Sequence, residues 1–237
     1  PEFSSMFPGA DTSINVLNRF AWTLSETIES GSVTFEKKSG LGSDTTIILD
    51  ATELVAGDRP EGLFANYVGP FLEDSTIYDI IYTSIDTAGN TGLDTVANVS
   101  YDGTDPIVTL TFDQLFGTGG TNNPSTPASD ILVTATWNER ALPTPTITVN
   151  YQGPGGVSDI IDEDMNIAGD STIWTYPITI PGEEVNNGPV LFTITGTDLA
   201  ENAFDPATLV MVDTLVVDNT KPTVTYTYSN VSQPTLD

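Results

Sequence analysis

Residues 108–112 read Val108-Thr109-Leu110-Thr111-Phe112, with an apolar side chain at every second position. A period of two places alternate side chains on opposite faces of a pleated strand, one face for a core and one for water. Thr suits the wet face, because its β-branch stiffens χ1 while its hydroxyl meets solvent. The same alternation returns in Val224-Thr225-Tyr226-Thr227-Tyr228. Working outward, short runs rich in β-branched and aromatic residues occupy 133–137, 147–151, 190–194 and 209–217. Turn-forming clusters separate the runs: Ser39-Gly40-Leu41-Gly42, 117–124, 153–156 and Pro181-Gly182. Helical periodicity is nearly absent, with 51–56 the one short candidate. Many short strands between Gly- and Pro-rich turns predict an all-β sandwich.

The chain has 237 residues, and division by about 150 gives a prior of one to two domains. Acidic residues number 33 against 6 basic, for a net charge of -27, and the composition includes 36 Thr, 20 Gly and 16 Pro. Acidic chains of this kind can fail to fold, but the ordered apolar alternation argues for a packed core. So negative a surface repels phosphate backbones and anionic lipid, which weighs against nucleic-acid and membrane-surface partners. There is no Cys and no His. Disulfides, thiolate nucleophiles, thiolate metal sites and the usual general base are therefore excluded. No apolar run approaches the roughly 18 residues of a membrane-crossing helix. Pro1-Glu2-Phe3 reads as a cloning remnant and is left outside the fold expectation, and the absence of a signal peptide suits a piece cut from a longer chain.

Four sequence anchors recur in the same order. Ala21-Trp22-Thr23-Leu24-Ser25-Glu26 matches Thr134-Ala135-Thr136-Trp137-Asn138-Glu139 at an offset of 113. The strand that follows, Ser32-Val33-Thr34-Phe35, matches Thr146-Ile147-Thr148-Val149. Asp86-Thr87-Ala88-Gly89-Asn90 matches Asp198-Leu199-Ala200-Glu201-Asn202 at 112, and Asp102-Gly103-Thr104-Asp105-Pro106 matches Asp218-Asn219-Thr220-Lys221-Pro222 at 116. Four anchors at nearly one offset predict two repeats of about 115 residues and the start of a third. The expected organisation is two tandem sandwiches over 7–103 and 104–220, with 221–237 as the first strand of a third repeat or a tail. The run 10–18 offers no match to 107–112, so strand A of the first repeat is expected to be missing or displaced.

The strand-then-Glu element, the Asp-x-Ala-x-Asn turn and the Asp-x-Thr-x-Pro linker resemble bacterial Ig-like domains. These include the cadherin-like and invasin-like modules of large surface adhesins. The resemblance implies an extracellular or cell-surface, non-enzymatic stalk or spacer whose immediate partners are neighbouring repeats of the same chain. A surface or glycan ligand would then be met through other domains. It equally admits an accessory glycan-binding module of a secreted polysaccharide-degrading enzyme.

Ig-type strand alternation places the loop after strand B and the F–G loop at the end where the linker enters. Asp102, Asp105, Glu139, Asp198, Glu201 and Asn202 are therefore expected near one junction, with Arg140 the nearby cation. Crowded carboxylates repel unless a hard cation relieves them. Ca²⁺ takes six to eight oxygen ligands and needs neither His nor Cys. The competing reading is turn chemistry alone, with each Asp bonding its own backbone and Pro stiffening the linker. Asp159 and Asp162-Glu163-Asp164-Met165-Asn166 open like a second calcium loop, but Ile167 and Ile173 stand where Gly and Glu are needed. Trp174 is a candidate surface contact for glycan, whereas Trp22 reads as core. Lys37 and Lys38 are the candidates for an isopeptide bond to Asn and read instead as an exposed turn.

Overall fold

Alternation dictates the strands, and among the described residues they form four sheets around two cores. The structure is a computed structural model that describes residues 1–15, 19–66, 72–113, 130–151, 160–179, 188–217 and 223–227. In the first half, β1 (Phe3–Phe7), β3 (Phe20–Leu24) and β6 (Gly57–Gly62) make a three-stranded sheet in the order β1-β3-β6. Opposite it lie β2 (Ser13–Ile14), β4 (Ser30–Ser39), β5 (Thr45–Ile48), β7 (Thr76–Ile85) and β8 (Thr91–Tyr101), ordered β2-β8-β7-β4-β5. In the second half, β9 (Val108–Phe112), β10 (Asp130–Trp137), β13 (Asn166–Ile167), β14 (Ile173–Thr179) and β16 (Val210–Met211) form the order β13-β14-β10-β9-β16. They face β11 (Thr146–Tyr151), β12 (Ile160–Asp164), β15 (Gly188–Thr195) and β17 (Val216–Val217), ordered β12-β11-β15-β17. Each half is an Ig-like sandwich of two sheets.

The inward residues of each half form one hydrophobic cluster, and the two clusters share no member. One runs from Phe3 to Tyr101 and the other from Val108 to Val217. Val108 and Leu110 are fully buried, while Thr109 and Thr111 between them are half-buried. On the outer faces Thr hydroxyls pair across strands, as Thr146 with Thr195 at 2.6 Å and Thr34 with Thr46 at 2.9 Å. Aromatic rings fill the first core: Phe3 meets Trp22 edge-on at 6.0 Å, and Trp22 stacks on Phe64 at 5.7 Å. Rings in such geometry gain about 0.5–1.5 kcal/mol beyond the area they bury.

Strand A of the first half is present, in the segment set aside as a remnant. Phe3 lies opposite Leu24 as Val108 lies opposite Trp137, and it is only 3% exposed. The stretch 10–18 contributes β2 instead, which pairs in parallel with β8. A constant offset misses this because 21 residues separate Phe3 from Leu24 and 29 separate Val108 from Trp137. Residues 51–56 form turns, not helix. Residues 223–227 adopt no strand, with Val224 and Tyr226 70% and 78% exposed.

Two other expectations change. Trp174 is 3% exposed and donates its indole N–H to the Ser171 carbonyl at 2.9 Å, so it is core and no sugar platform. The acidic run 162–164 lies in the edge strand β12, and Met165, which follows it, is buried. A register irregularity against β11 and a positive φ of 50° at Asp162 break the run's regularity, and among the described residues its carboxylates form no group of three that could hold an ion. It serves instead as a charged edge that resists pairing with another chain. Asp159 lies outside the described residues. Lys38 sits on β4, half-exposed, and donates to Asp79 and to Asn98 at 2.9 Å. So exposed a side chain makes a surface ion pair, whereas an isopeptide bond needs a buried Lys.

Candidate functional site

Two strand ends and the linker meet between the two cores. At the end of β10 the Asn138 side chain accepts the Ile107 N–H at 2.7 Å, and the Asn138 N–H donates to the Ile107 carbonyl at 3.0 Å. This pairing seats the linker exit beside the next residue, Glu139. From β15 the chain passes Gly196, where a Cβ would come within 2.8 Å of the Trp137 ring, so only Gly lets the turn approach.

The turn itself is built by Asp198. Its Oδ1 accepts the N–H groups of Ala200 at 2.7 Å and Asn202 at 2.9 Å, and its Oδ2 accepts Asn202 Nδ2 at 2.9 Å. Glu201 takes a positive φ of 71° to close the turn. The first sandwich repeats the design: Asp86 accepts Ala88 N–H, Asn90 N–H and Asn90 Nδ2 at 2.8, 2.8 and 2.6 Å. Those bonds, the Asn90 side chain's first, hold the Asp86 carboxyl below the ordinary range. The local turn chemistry is thus real in both copies. With Oδ1 accepting two N–H groups and Oδ2 one, Asp198 keeps one acceptor site on Oδ2 in a residue that is 1% exposed.

The linker adds the next carboxylate. Asp102 donates its N–H to the Ile14 carbonyl at 2.9 Å and accepts Asn202 Nδ2 at its own carbonyl at 2.9 Å. Its Oδ1 accepts the Thr104 N–H at 3.1 Å. One carboxylate oxygen from each of Asp102, Glu139 and Asp198 lies within 4.8 Å of the other two. Burial, then the charge of Asp102, pushes the Glu139 carboxyl up to about 7. Burial also raises Asp102, with Asp198 and Asp74 adding repulsion. None of the three ion pairs among the described residues involves the cluster. Arg140 acts on Asp170 instead.

Of the six residues singled out from sequence, the structure gathers Asp102, Glu139, Asp198 and Asn202. Asn202 enters through its amide N–H groups, bonded to Asp198 and to the Asp102 carbonyl. Asp105 and Glu201 are exposed and stand outside the triad. Glu201 instead lines a cleft with Phe7, Pro8, Asp11 and Leu199. Asp74 was missed, since nothing in its local sequence marks it, and it reaches the junction only through the packing of the first sandwich.

The three carboxylates offer oxygen alone, the ligand type a hard divalent cation takes, with the Asn202 amide N–H groups bonded beside them. The first sandwich carries a parallel case. Glu26 and Asp86 stand where Glu139 and Asp198 stand in the second.

No family model matches the chain, and no curated protein matches it. Similar solved structures include the fibronectin(III)-like modules of Clostridium thermocellum CbhA, at 13% identity and a TM-score of 0.38, covering 95% of this chain and all of that one. A 1.5-MDa bacterial ice-binding adhesin, described for host cell surface retention, aligns at 13% identity and a TM-score of 0.41 over 92% of this chain and 63% of its own. A Ca²⁺-stabilized adhesin with which an Antarctic bacterium reaches out and binds ice aligns at 20% identity and 0.34, over 86% and 46%. The neighbours are fibronectin(III)-like modules and ice-binding adhesins. At these TM-scores nothing about a site or ligand transfers from them.

Proposed function

We propose that this chain is a spacer: two sandwiches stacked in line, extracellular or at the cell surface, joined by a cation-binding junction. The observation that carries the reading is the carboxylate triad of Asp102, Glu139 and Asp198, drawn from the linker and from two strand ends of the second sandwich. A Ca²⁺ ion there would tie the linker to the second sandwich and stiffen the pair. Membership in a large adhesin and an accessory role beside a polysaccharide-degrading enzyme both accommodate such a spacer. Burial of Trp22, Trp137 and Trp174 removes a tryptophan platform for sugar rings and favours the spacer over glycan binding.

Binding to the folded state alone stabilises it by mass action, about 2.7 kcal/mol when the free ion is a hundredfold above its dissociation constant. Adding millimolar Ca²⁺ to the EDTA-treated chain is therefore expected to raise the second sandwich's melting temperature by about 10 °C. Solution scattering should narrow at the same time. Identical melting and scattering curves with Ca²⁺ and with EDTA would remove the cation from the proposal.

Proton linkage offers a separate check. Ca²⁺ requires ionised ligands, whereas Glu139 in the cation-free protein titrates near 7, above its ordinary 4.5. The folded, cation-free chain thus holds a proton that the unfolded chain has released, and Glu139's contribution to stability falls as pH rises from about 4.5 to 7. Ca²⁺ binding at pH 7 should release about half a proton per ion, and affinity should climb between pH 6 and 8. Calorimetric titrations in buffers of different ionisation enthalpy measure that release. Zero release would place the ion away from Glu139.

A further inference from the structure

The Asp102–Gly103 peptide is held from both sides. Its carbonyl accepts Asn202 Nδ2 of the second sandwich at 2.9 Å. Its N–H donates to Asp74 Oδ1 of the first sandwich, also at 2.9 Å. Because a peptide group is planar and rigid, two bonds at its opposite edges fix its orientation against both partners. Asp74 precedes β7 on the exposed rim of the first sandwich, and Gly103 is its principal partner. The Ser75 hydroxyl also donates to Asp74 Oδ2 at 3.2 Å. Gly103 leaves the approach open, since a Cβ there would lie 3.1 Å from the Tyr101 hydroxyl.

We propose that Asp74 is a positioning residue for the junction, holding the Gly103 N–H so that the Asp102 carboxylate faces Glu139 and Asp198 and the angle between the sandwiches is fixed. Its effect on cation affinity rests on the calcium reading above, while its hold on the linker does not. A linker Asp with a free peptide would sample many orientations, and each ion bound would have to stop that motion. A peptide already clamped leaves only the Asp102 side-chain rotations to be stopped, which lowers the entropic cost. The carboxylate of Asp74 also adds negative potential beside the triad, raising the Asp102 carboxyl.

The test compares Asp74→Ala with Asp74→Asn in the full chain. Asn keeps a carbonyl oxygen for the Gly103 N–H and loses the charge; Ala loses both. With Ca²⁺ alone as the titrant, Asp74→Ala should bind about tenfold more weakly, the weight of a hydrogen bond to a charged group. In EDTA, its scattering should report a wider spread of interdomain distances than the unchanged chain. Asp74→Asn should restore the scattering in EDTA and most of the affinity. Scattering unchanged by Asp74→Ala overturns the clamp, whatever the ion does. If the unchanged chain takes up no Ca²⁺ yet Asp74→Ala broadens its scattering, the clamp stands and the calcium reading falls. Loss of affinity that Asn fails to recover, with the first sandwich melting earlier in both variants, would show a structural role only and also overturns it.

Discussion

Replacing Asp198 with Ala is expected to lower the melting temperature of the second sandwich by roughly 15 °C in the presence of Ca²⁺. Asp198 is 1% exposed and accepts three N–H groups, from the Ala200 backbone, the Asn202 backbone and Asn202 Nδ2. Ala leaves those donors without their acceptor, at about 1–3 kcal/mol for each one that water cannot reach. Removal of one carboxylate also relieves Asp102 and Glu139 of a repulsive neighbour, so the net loss is about 3 kcal/mol rather than the sum. The Asn202 amide, freed from Asp198, would also lose its aim at the Asp102 carbonyl, which couples this change to the linker. Scanning calorimetry should show the upper or lower transition of the first sandwich unmoved. Asp198→Asn keeps an acceptor for the turn and should recover about half of the stability while still failing to hold the ion. A fall of less than 3 °C for the Ala variant would mean that the turn is not held through this carboxylate.

Glu53→Ala should have the largest effect on the first sandwich. Glu53 is 5% exposed, and its Oε1 accepts Arg59 Nη2 at 2.9 Å and the Ala65 N–H at 3.0 Å. Its Oε2 accepts the Asp50 N–H at 2.9 Å. Arg59 in turn lies 4.3 Å over the Trp22 ring and 5.6 Å from that of Phe64, and bonds the carbonyls of Phe20, Gly62 and Leu63. Breaking a buried pair by removing one partner costs about 3–5 kcal/mol, because the other charge is stranded. The expected readout is a first transition lowered by roughly 15–20 °C with the second unchanged. Arg59→Met, which keeps apolar contact with Trp22 and removes the charge, should cost less in a Glu53→Ala background than alone. Purely additive losses in that double-mutant cycle would deny the pair any coupling.

Fold class was legible because the alternation of Val108 to Phe112 is a local code, written within one strand. The turn at Asp198 was legible for the same reason: its acceptor and all three of its donors lie within five residues. The first strand was not. Phe3 belongs to β1 by its pairing with Leu24, and the different lengths of the connections after β1 and β9 hide that from any fixed offset. Trp174 misled because the run Ile173-Trp174-Thr175-Tyr176 has large side chains on both faces of the strand, and only its pairing opposite Ala135 of β10 shows that Trp174 turns inward.

By itself the sequence determined that two acidic, all-β sandwiches would form with carboxylates at the ends of matching strands. It could do so because hydrophobic period, turn residues and self-bonding Asp side chains act over a handful of neighbours. Only the tertiary structure decided which of those carboxylates meet. Asp102 and Asp198 are 96 positions apart, yet their oxygens come within 4.8 Å, while Asp105, three residues from Asp102, stays in solvent. Asp74 joins the linker from 29 residues away. Such distances are fixed by how sheets pack and where a strand ends, and a charge only a few ångströms out of place is screened by water instead of sharing a site.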